Sequence, residues 1–191
     1  MEKDPDPASP SLSATDEALL RRVAEGCQRS FVLLAKRHER ELFRLFRLLG
    51  ADAHEAEDCA QETFLRLFSY RSRCVSGNGG VSWLLYRIAR NVRADCLRKK
   101  LRSPGPIVRG CDVDALAAAE DLARTDARLD LEAALQALPE KLRLVVVLNI
   151  FQGLRYREVA ATLGIPLGTV KSRMHLALLR LREVLGVPSS R

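Results

Sequence analysis

Two sets of polar side chains in this chain are spaced so that each falls on one face of a helix. Trp83, Arg87, Arg90, Ala94 and Arg98 follow steps of three and four, with Asn91 at one margin and Tyr86 and Arg93 flanking the stripe. Guanidinium groups interleaved with exposed aromatics suit unstacked bases, because arginine holds phosphates while an indole or phenol ring stacks. Each stacked base is worth about 1–3 kcal/mol. The second set, Thr169, Lys171, Ser172, Arg173 and His175, lies near the start of another helix, mostly away from Val170 and Met174. Polar and basic side chains in that place are what a recognition helix presents to a major groove. Both sets point to nucleic-acid binding and not to bond making.

Other candidate chemistry is poorly supported. Glu55, Asp58 and Glu62 share a helix face, with Gln61 beside them. Paired carboxylates can serve acid–base or metal chemistry, but no His or Cys cluster completes such a site. The acidic face fits an N-terminal helix preference or a docking site for a basic protein partner. The five cysteines, Cys27, Cys59, Cys74, Cys96 and Cys111, are odd in number, widely spaced and without a CxxC pair. Neither a disulfide framework nor a zinc knuckle follows, and His38, His54 and His175 do not fall at ligand spacing with them. Reduced, structural or incidental thiols are expected, with no cofactor and no catalytic residue.

The elements that hold these residues are read as helices throughout. Asp16 caps a helix to about Glu25, and a second runs from about Arg29 to Leu49, stopped by Gly50. Asp52 caps a third, from about Ala53 to Phe68. A glycine-rich loop over Ser69–Gly80 leads to a fourth, from about Val81 to Arg102, whose core side carries Leu84, Leu85, Ile88, Ala89, Val92 and Cys96. Ser103–Pro106 breaks it, and an Ala-rich helix resumes near Asp114. Further helices are expected over Glu140–Phe151 and within YREVAATLGIPLGTVKSRMH, residues 156–175. In that last segment Val159, Ala160 and Leu163 face inward and Gly164 supplies the turn. Ala160 is small where a second helix crosses closely, which is the grammar of a helix-turn-helix.

The 191 residues, 47% hydrophobic, suit one domain or two small ones with real cores. The fold class expected is all-α: two small helical domains joined by an acidic linker, the C-terminal one containing the helix-turn-helix. The boundaries expected are a disordered tail at 1–15, a domain at 16–102, a linker at 103–127, a domain at 128–186 and a tail at 187–191. The net charge of +7 is unevenly placed: about −2 over 1–30, +7 over 31–102, −3 over 103–130 and +5 over 131–191. Two basic modules suit polyanions, while the acidic stretch between them would be repelled by DNA. The acidic, Pro/Ser-rich start is no secretory signal, and the apolar run Leu144–Phe151 is too short to span a bilayer. A cytoplasmic protein without membrane insertion is expected.

With AEDCAQETFLRLF, WLLYRIARNVRADCLR and GLRYREVAATLGIPLGTVKSR in that order, the chain resembles bacterial RNA polymerase sigma factors of the sigma-70 type, in their smallest, extracytoplasmic-function (ECF) class. The likeness covers about residues 16–101 and 128–186. It implies that Asp58, Gln61 and Glu62 hold the core RNA polymerase clamp. It implies that the fourth helix and the Ser69–Gly80 loop open and read the −10 element of promoter DNA, Asn91 helping to capture an extruded base near Trp83, Arg87, Arg90 and Arg98. The helix-turn-helix would read the −35 element through Lys171, Ser172 and His175, with Thr169 and Arg173 as phosphate or structural contacts. The acidic connector would thread the polymerase channel, and an anti-sigma factor would silence the protein. No small-molecule substrate is implied.

One departure stands out. Where the family pattern carries arginines after TVKSR, this chain has Leu176 and Leu178. They fit either packing within the C-terminal domain or an apolar partner contact with weaker −35 binding. Two other functions compete with the resemblance: a conventional helix-turn-helix regulator whose residues 16–102 sense or dimerise, and a nucleic-acid-processing enzyme such as a recombinase. The first leaves the Trp/Arg stripe unexplained, and the second lacks a nucleophile or metal cluster.

Overall fold

The computed structural model describes residues 13–70, 80–102 and 122–186. Most of the expected N-terminal tail, the C-terminal tail, most of the Ser69–Gly80 loop and most of the acidic linker lie outside these residues. Among the described residues there are eight α-helices, one π-helical turn and no strand.

The first unit contains α1 (Asp16–Ala24), α2 (Gln28–Leu48), α3 (Ala53–Ser69) and α4 (Val81–Arg102). Short polar residues start two of these helices. Thr15 Oγ1 accepts from the Ala18 N–H at 3.3 Å. Asp52 and Glu55 exchange side-chain and backbone bonds at 2.8 and 3.3 Å in a capping box. The core they enclose centres on Leu19, Leu34, Leu42, Phe46 and Leu67, all essentially inaccessible. Phe31 packs edge-on against Phe64 and tilted against Phe68, clasping α2 to α3. At the other edge, Asp16 of α1 takes bonds from Arg37 and His38 of α2, each at 2.7 Å. His38 also contacts Glu41 at 3.0 Å, so a buried imidazole sits between two carboxylates.

The second unit begins with α5 (Leu122–Ala137), so part of the expected linker is helical. It continues through α6 (Glu140–Val146), a π-helical turn (Val147–Phe151), α7 (Tyr156–Leu163) and α8 (Leu167–Val184). The single helix expected over 140–151 thus widens at its end, where Asn149 Nδ2 donates to the Leu154 carbonyl at 2.7 Å. Buried Val170, Met174, Ala177 and Leu181 repeat at helical spacing and turn α8 inward.

The two units share one continuous apolar core. They also meet at the C-terminus of α2, whose last carbonyls need partners. The Leu49 carbonyl accepts from Arg93 of α4 at 3.0 Å and from Arg143 of α6 at 3.2 Å. Gln136 of α5 donates to the Leu48 carbonyl at 3.4 Å. Gly50, at φ +86°, fits between them; a Cβ there would overlap Gln136 Oε1 and stand 2.8 Å from Arg143 Nη1.

Candidate nucleic-acid interface

The helix-turn-helix is built as its residues dictate. Gly164 closes α7 at φ +65°, in the left-handed region that favours glycine, and the Ile165 N–H returns to the Ala160 carbonyl at 3.1 Å. Pro166 then sits at the start of α8, where its missing N–H costs nothing. Val159 and Thr162 of α7 are buried, while Ala160 and Leu163 are half-buried. On α8, Lys171, Ser172 and His175 are exposed and Thr169 and Arg173 half-buried. Ser172 Oγ donates back to the Thr169 carbonyl at 3.1 Å. The arrangement offers one cation, one hydroxyl and one imidazole to a groove, with Thr169 and Arg173 at its edge.

Leu176, Leu178 and Leu179 are 43%, 40% and 40% exposed. Packing within the C-terminal unit therefore does not account for Leu176 and Leu178; the inward positions belong to Ala177 and Leu181.

On α4 the stripe is narrower than its helical wheel suggests. Arg87, Asn91 and Arg98 are exposed, and Trp83 and Arg90 half-buried. Tyr86 and Arg93, read as flanking an open stripe, are instead buried. The cause is the neighbouring structure. Tyr86 Oη donates to Gln152 Oε1 at 2.8 Å, and Arg93 reaches the Leu49 carbonyl. Trp83 is not a freely exposed ring either: the Arg87 guanidinium lies over it at 5.3 Å, and its indole N–H is buried without a partner among the described residues. Arg90 holds Asn91 Oδ1 through Nε at 3.2 Å and Nη2 at 2.8 Å, and its Nη1 donates to the Leu163 carbonyl at 2.7 Å. Arg90, from the first of the two surfaces expected on separate modules, thus contacts the first helix of the helix-turn-helix.

On α3, Asp58 and Gln61 are exposed, and Glu62 is half-buried. Glu62 opens a chain of ion pairs: to Arg66 at 2.7 Å, from Arg66 to Asp95 at 2.7 Å, and from Asp95 to Arg98 at 2.5 Å. The hydrogen bond from Arg66 holds the Asp95 carboxyl below its usual range. Lys100 of α4 pairs with Glu55 of α3. Leu65 is 61% exposed and one turn beyond Gln61, on the Asp58–Glu62 face. The sequence does not single it out, since an apolar residue on a helix is ordinarily read as core.

Among the described residues, no three His, Cys, Asp or Glu side chains are grouped to hold a metal ion. No helix there is long and apolar enough to cross a membrane.

Comparison with known proteins accounts for both halves. Residues 34–103 match the family described as sigma-70 region 2, and residues 128–181 match sigma-70, region 4. The chain is 36% identical to the ECF RNA polymerase sigma factor SigE of Mycolicibacterium smegmatis, over 98% of this chain and 74% of that one. It is 33% identical to the RNA polymerase sigma-H factor of Pseudomonas aeruginosa, over 85% and 89%. Among solved structures, CnrH in complex with the cytosolic domain of CnrY is similar at a TM-score of 0.69 and 26% identity, over 91% of this chain and 99% of that one. The sigma factor RpoE of Bartonella quintana, solved with the anti-sigma factor NepR, is similar at 0.65 and 28%, over 78% and 92%. The conventional-regulator reading loses its ground, because its sensor or dimerisation domain would occupy the residues that match region 2. With both regions present in order and a relative 36% identical over 98% of this chain, this chain belongs to the ECF sigma factors of RNA polymerase.

Proposed function

We propose that this chain binds core RNA polymerase, directs it to particular promoters and helps open the DNA, acting by binding and not as an enzyme. The observation that carries this reading is the pair of basic surfaces on different halves of a chain similar to ECF sigma factors over nearly all its length. Residues 16–102 form the polymerase and −10 domain in this reading, 103–127 the linker and 128–186 the −35 domain. Asp58, Gln61 and Glu62 meet the polymerase clamp, with exposed Leu65 as an apolar centre that charge alone would not supply. Trp83, Arg87, Arg90, Asn91 and Arg98 hold the unpaired −10 strand. Thr169, Lys171, Ser172, Arg173 and His175 contact the −35 duplex.

A good bidentate base contact gives about 1–3 kcal/mol of discrimination. A few such contacts give a free protein only weak affinity for duplex promoter, so polymerase must supply the rest. An anti-sigma factor is a further proposed partner, by analogy with the partner-bound RpoE structure. The proposed location is the cytoplasm, where polymerase and promoter are found.

Transcription in vitro with core polymerase, this protein and a promoter library tests the reading. Specific transcripts that depend on the added protein are expected, with weak duplex binding when polymerase is omitted. Tight, dimeric, sequence-specific binding without polymerase, and no transcript with it, would overturn the proposal.

A further inference from the structure

Cys59 and Cys96 are 37 residues apart in sequence, yet their sulfurs lie 3.1 Å apart across the α3–α4 contact. Cys59 is buried and Cys96 half-buried, so the pair has one sheltered and one approachable member. A disulfide needs its sulfurs at about 2.05 Å, so closing the bond asks for about 1 Å of movement between two helices already packed together. We infer that Cys59 and Cys96 form a hydroperoxide-sensitive dithiol, oxidised reversibly to a disulfide that ties α3 to α4.

The roles of the two thiols follow from their surroundings. Burial, then the hydrogen bond with Cys96, pushes the Cys59 thiol up to about 12, against the pull of the nearby Arg93 charge. Cys59 therefore stays protonated near neutral pH, and Cys96, the half-buried member that a peroxide can reach, is the attacking sulfur. The Cys96 sulfur attacks one peroxide oxygen and the O–O bond breaks. The departing oxygen takes the thiol proton and leaves as water or an alcohol, and Cys96 becomes a sulfenic acid. The Cys59 sulfur then bonds to the Cys96 sulfur, and the sulfenic hydroxyl leaves with the Cys59 proton as water. Two thiols are oxidised by two electrons in all, and one hydroperoxide is reduced. A thiol reductant reverses the bond by exchange.

The pair sits where such a bond would be felt. Cys59 follows Asp58, and Cys96 follows Asp95, which lies in the ion-pair chain from Glu62 to Arg98. Drawing the sulfurs together displaces both the acidic face of α3 and the basic face of α4. The consequence for transcription rests on the proposed function: oxidation lowers the protein's ability to support promoter opening. Cys27 is a separate thiol, hydrogen-bonded by Ser30 Oγ at 3.2 Å, and Cys74 and Cys111 lie outside the described residues.

The test uses the full chain, reduced, desalted and treated stepwise with hydrogen peroxide, then mapped by mass spectrometry without reduction. A Cys59–Cys96 crosslinked peptide pair lighter by two hydrogens, removed by dithiothreitol, is expected in the wild type and in a Cys27→Ser/Cys74→Ser/Cys111→Ser background. With Cys59→Ala, dimedone should trap a sulfenic acid on Cys96; with Cys96→Ser, Cys59 should stay unlabelled. Both thiols remaining free while Cys27 oxidises would overturn the site, and dimedone on Cys59 in the Cys96→Ser protein would overturn the assigned roles. Run-off transcription with core polymerase should fall several-fold on oxidation and recover with dithiothreitol. Equal transcription by fully crosslinked protein would overturn the regulatory consequence. If the reduced protein directs no transcription, the proposed function falls, while the peptide map still decides the dithiol.

Discussion

Arg90 Nη1 donates to the carbonyl of Leu163 at 2.7 Å, joining α4 to the first helix of the helix-turn-helix. Leu163 ends α7, so a cation there also meets the negative end of the helix dipole. The remaining donors of Arg90 hold Asn91. In this arrangement Arg90, proposed to meet an unpaired strand, is engaged with the other half of the same chain, and Asn91 is held by Arg90. Tyr86 and Gln152 reinforce the contact, and Arg93, Arg143 and Gln136 add a second one around the end of α2. Use of Arg90 on DNA thus requires its bond to Leu163 to be given up.

Gly50→Ala tests this closed arrangement without touching a proposed DNA contact. At φ +86° an alanine costs about 1–2 kcal/mol from backbone conformation. Its Cβ also collides with Gln136 and crowds Arg143 at 2.8 Å. The simplest relief is for the Gln136 and Arg143 side chains to swing away and give up their bonds to the Leu48 and Leu49 carbonyls, so that α5 and α6 are tied less tightly to the end of α2. A larger radius of gyration by small-angle scattering is expected, with helical content unchanged by circular dichroism. An unchanged radius at full helicity would mean that the contact is not what holds the units together.

Acid should loosen the α1–α2 clasp. Burial tends to raise the Asp16 carboxyl, but the hydrogen bonds and charges of Arg37 and His38 prevail and hold it below its ordinary 3.8. A depressed carboxyl contributes stability that is present above the unfolded value and is lost as pH falls through the folded one. The loss therefore begins below about pH 3.8. Asp16→Asn should show less of this acid dependence and be less stable at neutral pH. Urea unfolding at several pH values measures both, and parallel pH profiles for the two proteins would contradict it.

The helices are legible in the sequence because their signals are local. Gly50 and Gly164 adopt the positive φ their stop positions require, and Asp52 caps α3 through Glu55. What is not legible depends on distant residues. Tyr86 meets Gln152 66 positions away, and Arg93 meets Leu49 44 positions away. A helical wheel of α4 reports its own periodicity and cannot show that a second unit covers part of the polar side. The Cys59–Cys96 contact is hidden for the same reason, since only the packing of α3 on α4 brings the sulfurs together. His38 gives no pattern either, because its partners come from α1 and from its own helix.

Alkali should unfold the protein partly through Tyr86. Burial, then the nearby Glu41 charge, pushes its phenol from 10 up to about 12. A group raised on folding contributes stability that is complete below its unfolded value and is lost as pH rises through the folded one. Tyr86 therefore costs stability from about pH 10 upward, and Cys59, raised from 9.0 to about 12, from about pH 9. Tyr86→Phe should lose about 0.5–1.5 kcal/mol near neutrality with the Gln152 bond, and its stability should fall less steeply above pH 10. Denaturant titrations across that range decide it, and an equally steep alkaline limb in the variant would refute the assignment.

Leu176→Arg tests whether the apolar departure on α8 weakens upstream binding. Leu176 is 43% exposed, so an arginine there can be solvated without disturbing the core. It stands next to His175, within the proposed −35 surface, where a guanidinium can reach a phosphate. One added phosphate contact steepens the dependence of log affinity on log salt by about 0.9 for duplex DNA. The variant holoenzyme should bind a promoter duplex more tightly at low salt and lose the gain as salt rises. The same salt slope and the same affinity as wild type would place Leu176 outside the DNA contact. Binding to an anti-sigma partner would then be the property to measure, and a weaker partner complex in the variant would assign the exposed leucine to that interface instead.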